Sequence, residues 1–231
     1  MPPAFAIGFG KVTNMEGFKA YPPLVAPMMK KYGGGYVAIK MGVSEDARGS
    51  EQAEAYDLAP VLEFPDRETL STFFTSDEYA AIAPLRVENS DFSLVAFEAN
   101  LLPDGFDTSA FGAYLLTLKK FTDPAKFKEQ YPPLMKSNNE KFSAQMIARV
   151  GMDPALDPAT IMSVGCQGFD FAVLIGFRSY EDAVNYIHDE EFGAQQTCVR
   201  KESTIGPLTI VNAANKTDGP FPQYTGTPHD R

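Results

Sequence analysis

Several residue types that mark common protein classes are scarce in this 231-residue sequence. It has no tryptophan, two histidines and two cysteines. Cys166 and Cys198 form neither a Cys-x-x-Cys pair nor a framework of bridges, which favours a reducing compartment. No apolar run approaches the ~18 residues of a membrane-spanning helix. The N-terminal Met-Pro-Pro-Ala-Phe lacks the basic region of a secretory signal, so we predict a soluble, cytoplasmic protein.

Positive charge is also scarce. Lys and Arg number 20 against 30 Asp and Glu, which gives a formal net charge of −10. Nucleic acids and anionic membrane surfaces repel such a chain. We therefore predict no nucleic-acid partner and no membrane partner, and we attribute the charge to solubility.

Motifs that hold metals or common cofactors are absent from the sequence. His188 is the only histidine outside the C-terminal tail, and no His/Cys/Asp group has the spacing of metal ligands. There is no Walker loop, no G-x-G-x-x-G and no G-x-S-x-G. Gly33-Gly34-Gly35 lacks the lysine and helix N-terminus of a phosphate cradle, and is predicted to end a helix. The prediction is no metal and no cofactor.

What the sequence does contain is an internal repeat. Tyr-Pro-Pro-Leu occurs at residues 21–24 and again at 131–134, each time shortly after a Phe-Lys pair. The flanking residues repeat as well, with Phe64, Glu68, Phe73 and Tyr79 corresponding to Phe177, Glu181, Tyr186 and Phe192 at a constant offset. Self-similarity at a fixed spacing indicates a duplicated structural unit of about 100 residues.

Each copy has the pattern β-α-β-β-α-β, in which the second helical region is split. The first copy has predicted strands at 4–12, 36–42, 55–64 and 92–98, with helices at 15–32, 66–75 and 76–86. The second has strands at 112–121, 168–177 and 205–212, and a further strand that follows the first helix and ends at residue 151. Its helices are predicted at 123–141, 180–188 and 190–200. This order is the ferredoxin-like split motif, so the predicted fold class is α+β. We predict domains at 1–99 and 111–214, a linker at 100–110 and an extended or disordered tail at 215–231.

Several of these segments resemble the domain-of-unknown-function family 1330, within the dimeric α/β-barrel superfamily. The matching segments are Tyr32-Gly33-Gly34, Lys40-Met41-Gly42, Glu63-Phe64-Pro65, Ser76-Asp77-Glu78-Tyr79 and Leu85-Arg86, with Thr122-Asp123-Pro124 in the second half. The second half departs from this pattern. Arg178 replaces Pro65, Asn139-Glu140 stands where the paired glycines belong, and Arg200 is one position from the residue expected to match Arg86.

The resemblance implies two ferredoxin-like sheets packed face to face with helices outside. In this chain the two copies can form that barrel intramolecularly, as a monomer with a pseudo-dimeric core or as the protomer of a homodimer. The superfamily includes cofactor-free oxygenases, polyketide cyclases, lactone isomerases and haem enzymes. Its fold therefore does not determine a function.

Charged residues on predicted strands are the first candidates for chemistry. Asp57 corresponds to Asp170, and Lys40 to Arg149. If Leu62 and Phe64 face the helices, then Asp57, Glu63 and Asp170 point into the barrel, where an apolar environment raises a carboxyl pKa and suits a general base or acid. The alternative is that these groups form structural salt bridges.

Arg86 and two tyrosines complete the candidate set. As a fixed cation, Arg86 can bind a substrate carboxylate or enolate oxygen, or it can simply neutralise the dipole at the end of a helix. Tyr21 and Tyr131, at equal positions of the repeat, can donate to a ligand or serve only in packing.

The leading hypothesis is a small-molecule protein with a cavity in or beside the barrel, possessing cyclase, isomerase or monooxygenase chemistry on an apolar carbonyl compound without a cofactor. Asp57 or Asp170 is then the base, and Arg86, Lys40 or Arg149 stabilises the oxyanion. The alternative is a non-catalytic carrier of a small apolar or aromatic molecule. A haem enzyme ligated by His188, and a structural subunit with a basic partner, are further possibilities. The sequence leaves open whether the protein is an enzyme.

Overall fold

The computed structural model describes residues 1–41, 56, 58–103, 105–151, 160–164 and 169–213. The first half contains strands β1 (Ala4–Val12), β2 (Gly35–Met41), β3 (Leu58–Phe64) and β4 (Ser90–Glu98), and helices α1 (Met15–Phe18), α2 (Tyr21–Lys31), α3 (Arg67–Thr75) and α4 (Asp77–Val87). The second half contains β5 (Ala113–Phe121), β6 (Gln145–Gly151), β7 (Thr160–Val164), β8 (Phe171–Phe177), β9 (Thr204–Ile205) and β10 (Leu208–Asn212), and helices α5 (Pro124–Lys141), α6 (Tyr180–His188) and α7 (Gly193–Ser203). A 3₁₀ helix, Thr108–Ala110, lies between the halves.

The strands form two antiparallel sheets. The first has the order β2-β3-β1-β4-β7 and the second the order β10-β5-β8-β6, with β9 also paired to β5. Strand β7, which the sequence analysis did not predict, comes from the second half and pairs with β4 in the first sheet. The two halves therefore share a sheet as well as a core.

The sheets pack face to face through one apolar core. Alternate residues of β1 and β5, among them Phe5, Ile7, Leu116 and Leu118, are at most 5% exposed and belong to the same cluster. The opposite faces of the sheets are covered by the helices of their own halves, in two separate clusters. The predicted α+β architecture, with two ferredoxin-like units packed sheet to sheet and helices outside, is confirmed.

The helix boundaries follow from local capping. Asp66 and Ser179 accept hydrogen bonds from backbone N–H groups three residues later, at the starts of α3 and α6. Gly33 has a φ of +72° and ends α2 as predicted. The N–H of Gly34 donates to the carbonyl of Met29, and that of Gly33 to Lys30, which is the Schellman pattern.

The first helix of each half differs in one respect. In the first half the predicted helix 15–32 is interrupted after Phe18 and restarts at Tyr21, whereas α5 is continuous over the corresponding residues. Pro22 and Pro23 lie in the first turn of α2, where proline costs no helical hydrogen bond. The break therefore precedes the prolines and is not caused by a kink within them.

The predicted tail at 215–231 lies outside the described residues. The predicted strands at 36–42, 55–64 and 168–177 and the predicted linker at 100–110 lie partly outside them. The domain boundaries at 99, 111 and 214 stay a prediction. In the ranges that the structure describes, no helix is long and apolar enough to cross a membrane.

Candidate functional site

The candidate site is built on the small residues of β1. Gly8 and Gly10 lie under the ring of Phe92 from β4, and a Cβ atom at Gly8 would come within 2.3 Å of that ring. The sequence predicts a close approach on this face of the strand, and Phe92 is the group that makes it. On the helix side of this ring lies Arg86, whose guanidinium carbon is 5.3 Å from the centroid of Phe92.

Arg86 is a buried cation. It lies in the last turn of α4 with 8% of its surface exposed. Its Nε is buried without a hydrogen-bond partner, and the guanidinium makes no hydrogen bond or ion pair to any other residue that the structure describes. A buried charge left unpaired costs several kcal/mol or more. Neutralising the helix dipole needs no burial, so that alternative does not account for the inward orientation.

Two tyrosines, Tyr21 and Tyr36, line the same cavity as this guanidinium. Burial raises the pKa of Tyr21 well above its ordinary value, the hydroxyls of Tyr79 and Tyr36 raise it further, and the charge of Arg86 lowers it. Burial also raises the pKa of Tyr36. Both hydroxyls therefore keep their protons at neutral pH and can donate to an anion. The hydroxyl oxygens of Tyr21 and Tyr79 are 3.5 Å apart, which is a long contact for a hydrogen bond between hydroxyls.

A narrow cavity lies between the first sheet and its helices, lined by Arg86, Tyr21, Tyr36 and Phe92. The cavity volume is about 30 Å³, room for one or two water molecules. Its described lining is otherwise apolar, with Phe18, Val25 and Met29 from the helices, Leu58, Pro60, Leu62 and Leu94 from the strands, and Phe73 and Phe74 from α3. No carboxylate or imidazole occurs among these described lining residues. The cavity lies beside the barrel, on the outer face of the sheet.

Arg200 is the structural counterpart of Arg86. The carbonyl of Arg86 accepts a hydrogen bond from Ser90 Oγ at 2.7 Å, and that of Arg200 accepts one from Thr204 Oγ1 at 2.8 Å. The carbonyls of Asn89 and Ser203, three residues after each arginine, each accept two backbone N–H groups in the same way. The sequence offset placed the two arginines one position apart, and this was wrong.

Arg200, unlike Arg86, is satisfied within the protein. Its Nη1 donates to the hydroxyl of Tyr131 at 3.1 Å, and its Nη2 donates to Thr197 Oγ1 at 2.8 Å. The neighbouring space holds a buried amide network in which Asn138 donates to Gln196 Oε1 at 3.0 Å. Arg200 therefore lies among polar side chains of the second half, whereas the described lining of the cavity beside Arg86 is mostly apolar.

The structure describes one of the two predicted bases. Asp170 is exposed at the end of β8, where its carboxylate accepts the backbone N–H of Phe121 at 2.8 Å. Its predicted position inside the barrel was wrong, because the chain reaches the surface one residue before the strand begins. Asp57 lies outside the described residues.

The predicted correspondence of Lys40 with Arg149 was wrong by one residue. Lys40 pairs with Ala59 on β3, whereas Arg149 pairs with Val173 on β8, one position further along the equivalent strand. A one-residue slip moves a side chain to the other face of a sheet. Arg149 is accordingly exposed, whereas Lys40 is half-buried.

Glu63 and Tyr131 lie away from the cavity of Arg86. Glu63 is half-buried on the barrel side of β3 and accepts a hydrogen bond from Thr108 Oγ1 at 2.7 Å. It also faces Tyr114, whose pKa is raised by burial and then by the charge of Glu63. Tyr131 is the partner of Arg200. Of the seven candidates that the structure describes, only Arg86 and Tyr21 line the same cavity.

Three site residues were not predicted from the sequence: Tyr36, Tyr79 and Phe92. Strict alternation from Ile39, which packs against the helices, would place Tyr36 on the barrel face instead. The bulge between Tyr36 and Ala38 breaks that alternation, so the face could not be assigned from period two alone.

Binding of a metal ion or haem depends on where the possible ligand side chains lie. Over the described ranges, no group of three or more His, Cys, Asp and Glu side chains is placed to hold a metal ion. His188 is half-buried at the end of α6 in the second half and does not line the Arg86 cavity.

A match to a known protein family covers the first half of the chain. Residues 3–100 match the family model of DUF1330, a domain of unknown function. The match spans β1 through β4 and thus the whole Arg86 cavity. That the second half is another copy of the same domain stays a prediction, although its fold is the same. No curated protein matches the sequence.

Solved structures resemble the chain over most of its length at low identity. An anthrone oxidase-like protein is 10% identical with a TM-score of 0.46, covering 92% of this chain and 93% of its own. A mutant chlorite dismutase from Candidatus Nitrospira defluvii is 10% identical with a TM-score of 0.46, covering 91% of each chain. A heme-binding protein from Thermus thermophilus is 12% identical with a TM-score of 0.41, covering 91% of this chain and 90% of its own. Likenesses this distant carry no inference about function.

Proposed function

We propose that the protein binds a small carboxylate or enolate with an apolar body in the first-half cavity. The observation that carries this proposal is the buried guanidinium of Arg86, which lacks a counter-charge among the described residues. An anion placed there removes the cost of the unpaired charge and receives charge-assisted hydrogen bonds. Protonated tyrosine hydroxyls add further donors, and the aromatic walls suit an apolar body.

The size of the cavity limits the ligand. About 30 Å³ admits a carboxylate group, and a larger apolar body enters only if rings such as Phe18 and Phe74 turn aside. We therefore expect affinity to rise with the length of the apolar body until displacement of these rings outweighs the gain. Acetate, butyrate and benzoate form a suitable series of probes.

The test is isothermal titration calorimetry, which measures the affinity of wild-type protein and of Arg86→Met for the three acids. We expect benzoate and butyrate to bind the wild type and to lose at least about tenfold in affinity with Arg86→Met, as expected for the loss of a charge-assisted hydrogen bond. Benzyl alcohol, which has no charge, is the control ligand and should bind both proteins equally. Equal binding of benzoate by both proteins, or none by the wild type, contradicts the proposal.

A carrier fits the described lining better than an enzyme does, because no general base lies beside Arg86 among those residues. The catalytic version, in which Asp57 or Asp170 abstracts a proton from an apolar carbonyl compound, stays a prediction. Its test is the double variant Asp57→Asn, Asp170→Asn. Turnover of any substrate by the wild type that survives in this variant excludes both carboxylates as bases.

A further inference from the structure

The feature that separates the two arginines is the residue three positions before each of them. On a helix, residues three apart lie on the same face. Thr197 stands three residues before Arg200 and accepts a hydrogen bond from its Nη2 at 2.8 Å. Ala83 stands three residues before Arg86, where a methyl group offers no acceptor. It is half-buried against the apolar cluster of the first half.

We propose that Ala83 is the specificity-determining residue of the Arg86 site, because it leaves the guanidinium free to bind the anion of a ligand. This inference rests on the proposed binding function and adds which residue keeps the site open. A threonine at position 83 gives Arg86 an internal partner, as Thr197 gives Arg200. The guanidinium is then held by the protein, and an incoming carboxylate must break that bond before it can bind.

Ala83→Thr and Ala83→Val form a matched pair for the test. Threonine and valine have nearly the same shape and a similar cost in a helix, but only threonine carries the hydroxyl acceptor. We expect benzoate affinity to fall at least fivefold more in Ala83→Thr than in Ala83→Val. Equal loss in the two variants would show that filling the space closes the site and would overturn the inference.

A second measurement does not depend on any ligand. The exchange rate of the Arg86 guanidinium protons with water, followed by NMR in the free protein, reports whether they are hydrogen-bonded. We expect exchange to slow severalfold in Ala83→Thr and not in Ala83→Val. In the reciprocal variant Thr197→Val, exchange at Arg200 should quicken. Unchanged exchange at both arginines overturns the inference even if benzoate binds, whereas the expected exchange without benzoate binding overturns only the proposed function.

Discussion

In the first half of the molecule the guanidinium of Arg86 lies against Phe92 beside a cavity, whereas in the second half Arg200 donates to Tyr131 and Thr197. Both arginines are more than nine-tenths buried, at equivalent points of equivalent helices. One is therefore hydrogen-bonded to neighbouring side chains and the other faces a cavity. The difference shows that a duplicated fold can keep the same buried charge for structure in one copy and leave it available in the other.

The substitution with the largest expected effect on this comparison is Gly8→Val. The new side chain cannot share the space that the Phe92 ring occupies, so the ring must move. Arg86 then loses its cation–π contact with Phe92. We expect a fall of about 3 kcal/mol in the free energy of unfolding in urea and loss of benzoate binding. Thr117, which pairs with Leu208 as Gly8 pairs with Leu94, is the control. Thr117→Ser should cost less than about 1 kcal/mol, and a similar cost at both positions would contradict the role of Gly8.

Replacing each arginine by methionine compares the two halves directly. Arg200→Met leaves two buried partners without their donor and should lower the free energy of unfolding by about 2–4 kcal/mol. Arg86→Met removes an unpaired buried charge and should change it by less than about 1 kcal/mol, in either direction. Urea denaturation followed by circular dichroism measures both. Equal destabilisation would mean that Arg86 is as fully satisfied as Arg200.

The tyrosines at the repeated position, Tyr21 and Tyr131, should also differ in their contribution to stability, by a smaller amount than the arginines. Tyr131→Phe removes the acceptor of a 3.1 Å bond from Arg200 and should cost about 1–2 kcal/mol. Tyr21→Phe removes only a 3.5 Å contact with Tyr79 and should cost less than about 0.5 kcal/mol. Thermal and urea unfolding of the two variants measure these costs in stability. A larger cost for Tyr21→Phe would mean that the hydrogen bonds around Tyr21 are the stronger ones.

The smallest effect concerns the N-caps of α3 and α6, which are Asp66 and Ser179. Hydrogen bonds from the backbone of Thr69 lower the pKa of Asp66 below its ordinary value of 3.8. The stabilisation is therefore fully present above pH 3.8 and is lost as the pH falls through the lower pKa of the folded protein. Asp66→Ser should lower stability by at most about 1 kcal/mol at about pH 6, and the difference should shrink at about pH 3. A difference that stays constant between these pH values would contradict titration of this cap.

The fold was accessible from the sequence because its signals are local and repeated. The duplicated Tyr-Pro-Pro-Leu segments and the glycines at 33–35 each predict part of the architecture from residues that are close together in sequence. The short strand β7 was missed because it is stabilised by pairing with β4, far away in sequence, and five residues carry too little pattern of their own.

The site was accessible only in part. Arg86 and Tyr21 are sequence candidates that the fold brings to one cavity beside the barrel, whereas the described strand candidates, Lys40, Glu63, Arg149 and Asp170, do not line it. A single added residue between α6 and α7 displaces every later equivalence by one, and a separate one-residue displacement, earlier in the chain, separates Lys40 from Arg149. Side-chain direction in a strand reverses with each residue, so an alignment that is nearly right still assigns the wrong face.

Strand β7 covers an edge of the first sheet with residues that are synthesised after the other strands of that sheet. When residues 1–98 have left the ribosome, β4 is the open edge of a four-stranded sheet, and it stays open until Val164 emerges to pair with Leu94. Exposed strand edges invite pairing with other chains. Because the protecting strand is carried by the same polypeptide, it arrives at an effective concentration set by the connecting chain. Protection of this edge is therefore independent of how much protein the cell makes.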